Sequence, residues 1–181
     1  MKQKFRFSGT GGQGLITAGI ILAEAALLDG KLAVQSQSYG PEARGGSSKA
    51  EVIVSDMPIY FGRVTQPDTL LVMSQEAADK FSGDCGPSSL IITDSLFVSE
   101  VKTKSEHRVD LPITRTAREA CGKPLFANIV ALGAVAGLTD CVSHESLERA
   151  VLDRVPKGTE EVNKKALAAG YALAASCKKA A

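Results

Sequence analysis

Tryptophan is absent from the 181 residues, and only three Tyr and six Phe are present. A surface that stacks bases on aromatic rings needs more than that. Charge of one sign is lacking too: 21 basic and 20 acidic residues leave a formal net charge of +1. They are scattered, so no basic face invites a phosphate backbone and no acidic tail stands out. Long apolar runs are missing as well. The most apolar stretch, 125–138, is too short for a bilayer and contains Asn128. The start, Met1-Lys2-Gln3-Lys4-Phe5, has no apolar signal core. No nucleic acid and no membrane are therefore expected as partners, and the cytoplasm is the expected compartment.

The four cysteines, Cys85, Cys121, Cys141 and Cys177, stand far apart, and no Cys-x-x-Cys occurs. Neither an iron–sulfur cluster nor a structural zinc has its usual local scaffold here. In a reducing compartment such residues read as buried free thiols. His107 and His144 have no metal spacing with each other or with a cysteine, and read as surface or cap residues. At this length one well-filled core suffices, and a single domain over residues 1–181 is the expectation.

What is present is glycine, placed with a pattern. The stretch Ser8-Gly9-Thr10-Gly11-Gly12-Gln13-Gly14 follows a short apolar strand around Phe5-Arg6-Phe7. Behind it, residues 15–28 carry one charge, Glu24, and repeat small or apolar side chains at helical spacing. Strand, glycine turn and helix together place free backbone N–H groups around an anion, most often a phosphate. Gly9, Gly11 and Gly14 satisfy Gly-x-Gly-x-x-Gly. The acid that should close the second strand to hold ribose hydroxyls is missing, for Leu32-Ala33-Val34 leads into Gln35-Ser36-Gln37-Ser38-Tyr39. The lysine of a P-loop is missing too, since Gly14 precedes Leu15-Ile16-Thr17. A tight turn that only lets a helix lie close on a sheet is the alternative.

Further along, strands are expected at 32–38, 48–55, 69–73 and 89–93, with a weaker one around Val109-Asp110-Leu111. Helices are expected at 113–121, 127–138, 143–155 and 159–177, and a short one runs through Lys80 behind the N-cap Ser74. Asn128 reads as a cap or a site-facing polar group on an otherwise apolar helix. The last helix sets a Val162-Ala166-Ala169-Leu173 stripe against exposed lysines. Gly83-Asp84 opens like a thiamine-diphosphate motif, but Cys85 replaces the next glycine and no Asn pair follows, so a turn is read. The segment Ser38-Tyr39-Gly40-Pro41-Glu42-Ala43-Arg44-Gly45-Gly46-Ser47 combines turn residues with an aromatic, an acid and an arginine. A connection alone needs none of those three, so it reads as functional. It is too short for a helical crossover, which makes its flanking strands an antiparallel pair. The expected fold class is α/β: three α/β/α layers, a mostly parallel sheet and one antiparallel hairpin.

The glycine turn, the 38–46 segment and Glu51-Val52-Ile53-Val54-Ser55-Asp56, in that order, resemble one family. So do Ser74-Gln75-Glu76-Ala77, Asn128-Ile129-Val130-Ala131-Leu132-Gly133 and Asn163-Lys164-Lys165-Ala166-Leu167. The chain resembles the gamma subunit of the 2-oxoacid:ferredoxin oxidoreductases, which act on pyruvate, 2-oxoglutarate or branched-chain 2-oxoacids. The resemblance implies a reaction of the assembled enzyme in which a 2-oxoacid, coenzyme A and oxidised ferredoxin give acyl-CoA, carbon dioxide and reduced ferredoxin. It implies alpha, beta and delta (ferredoxin-like) partner subunits that carry the thiamine diphosphate and iron–sulfur clusters, with ferredoxin as acceptor. No cofactor is then expected on this chain alone, no catalytic residue and no metal ligand, and no activity without its partners. Its implied share is assembly, together with part of a site for coenzyme A or another anion. Gly11, Gly12 and Gln13 would offer backbone donors, and Arg44, beside Gly45, a planar fork for phosphate or carboxylate.

Two other readings stay open at this point. One is a stand-alone nucleotide-binding enzyme of Rossmann type. The other is a pure assembly module whose glycine loops bind no ligand.

Overall fold

A computed structural model describes residues 1–38 and 46–180. Its strands are β1 (Lys2–Thr10), β2 (Leu32–Ser38), β3 (Ser47–Ser55), β4 (Thr69–Val72), β5 (Leu90–Asp94) and β6 (His107–Leu111). Its helices are α1 (Leu15–Leu28), α2 (Gln75–Phe81), α3 (Ile113–Cys121), α4 (Ala127–Thr139), α5 (His144–Arg154) and α6 (Glu160–Ala180). Short 3-10 turns cover Ser82–Asp84 and Pro124–Phe126.

Among the described residues the strands form one sheet in the order β2-β3-β1-β4-β5-β6. From β1 through β6 the pairs are parallel. The β2–β3 hairpin is antiparallel, with Leu32 opposite Ser55 and Ser38 opposite Lys49. One detail differs from the simplest form of the expected sheet. α1 carries the chain one strand position past its neighbour, and the hairpin returns β3 into the slot between β2 and β1. β3 is thus antiparallel to β1 as well, with Arg6 opposite Glu51.

The sheet is buried on both faces along its centre, which is why β4 and β5 are short continuous apolar runs. Toward one face Phe5, Phe7, Val52, Leu71 and Ile92 meet α1 and the helices α3 to α6. Toward the other Leu70, Val72 and Ile91 meet Ala77, Ala78 and Phe81 of α2. Ser74 caps α2 by accepting the Ala77 N–H at 3.3 Å. Gly122 ends α3 in the left-handed region at φ 76°.

The α6 stripe is rotated from the expected one. Asn163, Ala166, Leu167, Gly170 and Ala174 are buried, whereas Val162, Ala169 and Leu173 are only half-buried. The physical reason is a close helix crossing. A Cβ on Gly170 would stand 2.8 Å from the Ala134 nitrogen and 2.9 Å from the Gly133 Cα. Backbone thus meets backbone where α4 and α6 cross, on a line set by a glycine rather than by the bulkiest apolar side chains. α4, apolar all round, packs against α6, α3 and α1.

Candidate active-site cleft

The chain leaves β1 toward α1 on one face of the sheet and leaves β4 toward α2 on the other. Adjacent parallel strands whose connections part in this way open a crevice at their C-terminal ends, the usual ligand position in such folds. The glycine turn, residues 10–14, forms one lip and Met73 the other.

Gln13 joins the two lips. Its Oε1 accepts the Thr10 N–H at 2.8 Å and its Nε2 donates to the Met73 carbonyl at 2.9 Å. The Gln13 N–H itself donates to the Thr10 carbonyl at 3.2 Å. The Gly11 N–H donates to the Gly46 carbonyl at 3.0 Å, which seats the end of the β2–β3 hairpin beside the turn. Two sequence motifs more than thirty residues apart therefore meet. Of the three expected turn donors, the Gly12 N–H alone has no hydrogen-bond partner among the described residues. Gly12 has φ 93° and Gly14 has φ 75°, a region that costs other residues strain. Gly14 also lies against Asn128, where a Cβ would come within 2.6 Å of Nδ2. Asn128, in the first turn of α4, points its side chain at the glycine turn: its Nδ2 donates to the Gly14 carbonyl at 3.3 Å and its Oδ1 accepts the Ile129 N–H at 3.0 Å. The α1 N-terminus has no side-chain cap and no acid in its first turn. Its positive end therefore faces the crevice uncompensated. Arg44 and Gly45 lie outside the described residues.

The crevice opens into a cleft of about 390 Å³ lined by Gly12, Gln13, Met73, Phe97, Thr114, Arg118, Pro124 and Leu125. The sequence placed Thr114 and Arg118 only within the helix expected at 113–121 and singled out neither. Both are placed by Asp94, the last residue of β5, which is fully buried. Asp94 Oδ2 accepts the Thr114 N–H at 3.1 Å and its hydroxyl at 2.5 Å, and Oδ1 accepts the Leu96 N–H at 3.2 Å. A carboxylate from a neighbouring strand thereby satisfies one free N–H of α3 and holds its first turn, one turn ahead of Arg118. The signal in the sequence was an acid closing the apolar run Leu90-Ile91-Ile92-Thr93, where a buried strand otherwise runs into the crevice. Leu125, 71% exposed, separates this cleft from an apolar one of about 260 Å³ floored by Ile21, Phe126, Asn128 and Ile129. Together they offer an anion-attracting turn and the Arg118 guanidinium at one end, then mostly apolar walls, with Arg154 (paired with Glu24), Thr159 and Asn163 at the far end. An elongated molecule with a phosphate at one end and an uncharged arm fits that order.

Other groups do no chemistry in the cleft. Asp84, of the thiamine-like pair Gly83-Asp84, lies in a 3-10 turn and its carboxylate is 2.5 Å from Arg6 Nη1. Burial pushes the Cys85 thiol up to about 11, and burial also raises Cys141 and Cys121. Among the described residues no three His, Cys, Asp or Glu are grouped to hold a metal. The His144 ring leans on Tyr171 at 4.6 Å between centroids, at the start of α5.

The sequence pattern of the pyruvate ferredoxin/flavodoxin oxidoreductase family matches residues 4–173. The chain is 51% identical over 180 residues to the 2-oxoglutarate synthase subunit KorC of Methanocaldococcus jannaschii, covering 96% of this chain and 95% of that one. It is 32% identical over 150 residues to the ketoisovalerate oxidoreductase subunit VorA of Methanothermobacter thermautotrophicus, covering 82% of this chain but 31% of that longer one. Among solved structures, the gamma subunit of a keto/oxoacid ferredoxin oxidoreductase from Geobacter sulfurreducens superposes with a TM-score of 0.89 at 48% identity. That match covers 97% of this chain and 98% of that one.

Proposed function

The chain belongs to the pyruvate ferredoxin/flavodoxin oxidoreductase family, and we propose that it is the gamma subunit of an enzyme that oxidises 2-oxoglutarate. The observation that carries this is the 51% identity to a 2-oxoglutarate synthase subunit over nearly the whole of both chains, against 32% to a ketoisovalerate subunit. The assembled enzyme takes 2-oxoglutarate, coenzyme A and oxidised ferredoxin to succinyl-CoA, carbon dioxide and reduced ferredoxin. Two electrons leave the substrate as the carboxylate carbon departs. Thiamine diphosphate and the iron–sulfur clusters belong to the alpha, beta and delta partners. The cysteines of this chain stand far apart in sequence, and Asp84 is paired with Arg6. No helix among the described residues is long and apolar enough to cross a membrane, in keeping with a cytoplasmic enzyme.

The share of this chain in the reaction is binding and orientation of coenzyme A. The Gly12 N–H, the open α1 N-terminus and the Arg118 guanidinium attract its phosphates; Arg44 and Gly45, outside the described residues, are proposed to contribute on their chemistry alone. Gly11 and Gln13 act one step back, by fixing the turn against Gly46 and Met73. A stand-alone dinucleotide enzyme fits less well. The Gln13 side chain fills the turn so closely that a Cβ on Gly9 would collide with its Oε1, and no acid closes β2.

The test is reconstitution. Coexpressed with its alpha, beta and delta partners, the chain should enter a complex that reduces ferredoxin only with 2-oxoglutarate and coenzyme A together. The chain by itself should turn over neither. A complex that oxidises pyruvate but not 2-oxoglutarate would overturn the substrate assignment, and a chain that never enters the complex would overturn the subunit assignment.

A further inference from the structure

Between β3 and β4 the chain crosses the second face of the sheet as an irregular strap, residues 56–68. Both ends are pinned: the Asp56 N–H donates to the Met1 carbonyl at 3.0 Å and the Asp68 N–H to the Lys4 carbonyl at 2.8 Å. Its middle is pinned too. Val64 is buried and its carbonyl accepts from Arg6 Nη2 at 2.6 Å, while Gly62 rests against Val34.

A strap held this firmly nonetheless turns its largest apolar side chains outward. Met57 is 66% exposed, Tyr60 93% and Phe61 61%. Beside them lies Arg63, exposed and without an ion pair among the described residues, on the rim of a polar cleft of about 590 Å³ floored by Lys49 and Glu51. Among the described residues, the acid of that cleft is already committed, since Glu51 holds Arg6 and Lys49, and Asp84 also holds Arg6. Two aromatic rings and a methionine on a rigid loop, bordered by one unmatched arginine, have the composition of an interface centre.

We propose that this strap is the surface on which the chain docks into its enzyme. Its occupant is the subunit that corresponds to the rest of the longer VorA-type chain, of which the present domain makes up 31%. In such a fused chain the two parts stay together by covalent connection; as separate subunits they must hold by contact. The partner face is an apolar depression that takes Tyr60 and Phe61 and carries a carboxylate on its rim for Arg63. Because the strap is already fixed in the free chain, little ordering is lost on docking.

The inference rests on the gamma-subunit assignment, and one experiment separates the two. The full chain is titrated into the complex lacking it, with binding read by isothermal calorimetry and by the mass of the assembled particle. The double variant Tyr60→Ser/Phe61→Ser is expected to bind about 100-fold more weakly or worse, as loss of two aromatic anchors does. Arg63→Glu should weaken binding roughly tenfold and Arg63→Lys less. Melting of the free variants should stay near the wild type, because these side chains cover little of the chain itself. A Leu27→Ser/Leu28→Ser control, on the exposed end of α1, should bind normally. Strap variants that bind as the wild type overturn the docking surface and leave the subunit assignment standing. A free wild-type chain that is a dimer, dissociated by the same variants, assigns the strap to a second copy and overturns it too. A wild-type chain that does not bind the other subunits sinks both.

Discussion

Arg6 and Glu51 stand directly opposite each other on β1 and β3, with the guanidinium Nε and Nη2 both 2.9 Å from the same carboxylate oxygen. Arg6 is only 2% exposed, although it sits between Phe5 and Phe7. Its remaining nitrogen reaches Asp84, and Nη2 also reaches the strap carbonyl of Val64. One side chain thus ties together the sheet, the turn after α2 and the strap. The face of Phe81 lies under it at 5.7 Å.

Removing one side of a buried pair strands the other charge. Arg6→Met should lower the free energy of unfolding in urea by about 3–5 kcal/mol, nearer the lower figure because Lys49 still reaches Glu51. Arg6→Met combined with Glu51→Leu should recover part of that loss. Equal loss in single and double variants would show that the charge pairing is not what makes Arg6 necessary.

The α4–α6 crossing leaves no room for a side chain. Gly170→Ala places a methyl group against the Ala134 nitrogen and the Gly133 Cα. It should cost about 1–3 kcal/mol by thermal or chemical unfolding, even though alanine favours helix. An unchanged or raised melting temperature would mean the two helices separate freely.

Gln13 is predicted to act through the turn it fixes. Gln13→Ala leaves the Thr10 N–H and the Met73 carbonyl without their partner, so stability should fall by about 1–3 kcal/mol. In the reconstituted enzyme the Michaelis constant for coenzyme A should rise while that for the 2-oxoacid stays put. A variant with normal coenzyme A kinetics would separate the turn from the ligand site.

Arg118→Ala should raise the Michaelis constant for coenzyme A roughly tenfold, as loss of one charge-assisted phosphate contact does, with complex assembly intact. Arg44→Lys should behave nearly as badly as Arg44→Ala, because a lysine keeps the charge but not the planar fork. Steady-state kinetics alongside the particle mass distinguishes the outcomes. If both arginines can be replaced without effect, the chain is an assembly module and the cleft binds no coenzyme A.

The thiols give a pH-dependent prediction. With its thiol pushed by burial to about 11, Cys85 should resist iodoacetamide at pH 8.5 in the folded chain and react once urea unfolds it. The unfolded thiol ionises near 9.0 and the folded one near 11, so its contribution to stability is complete below the first value and lost as pH rises toward the second. Rapid alkylation of Cys85 in the native protein would contradict its burial.

The sequence by itself determined most of the local structure. Residues 15–28 and 113–121 show their helical spacing with a glycine or a cap at the boundary, and α1 and α3 span those residues. The hairpin was legible because an eight-residue connection cannot hold a crossover helix, and the family was legible because several motifs occur in one order. These are properties of neighbours in the chain, fixed by backbone propensity and by the period of side-chain burial.

Tertiary structure decided the rest, because it brings distant residues into contact. Nothing near Arg6 announces Glu51, 45 residues away, or Asp84, 78 away. A charged residue inside an apolar strand is indistinguishable from a solvated one until its partners arrive. The α6 stripe turned because Gly133 and Gly170 let two backbones meet, which neither helix reveals alone. Arg118 became a cleft residue only when Asp94 fixed the start of α3. Gln13, expected to present its backbone, is instead the bolt between two strand ends, since Met73 lies 60 positions away and reaches it only when β1 and β4 pair.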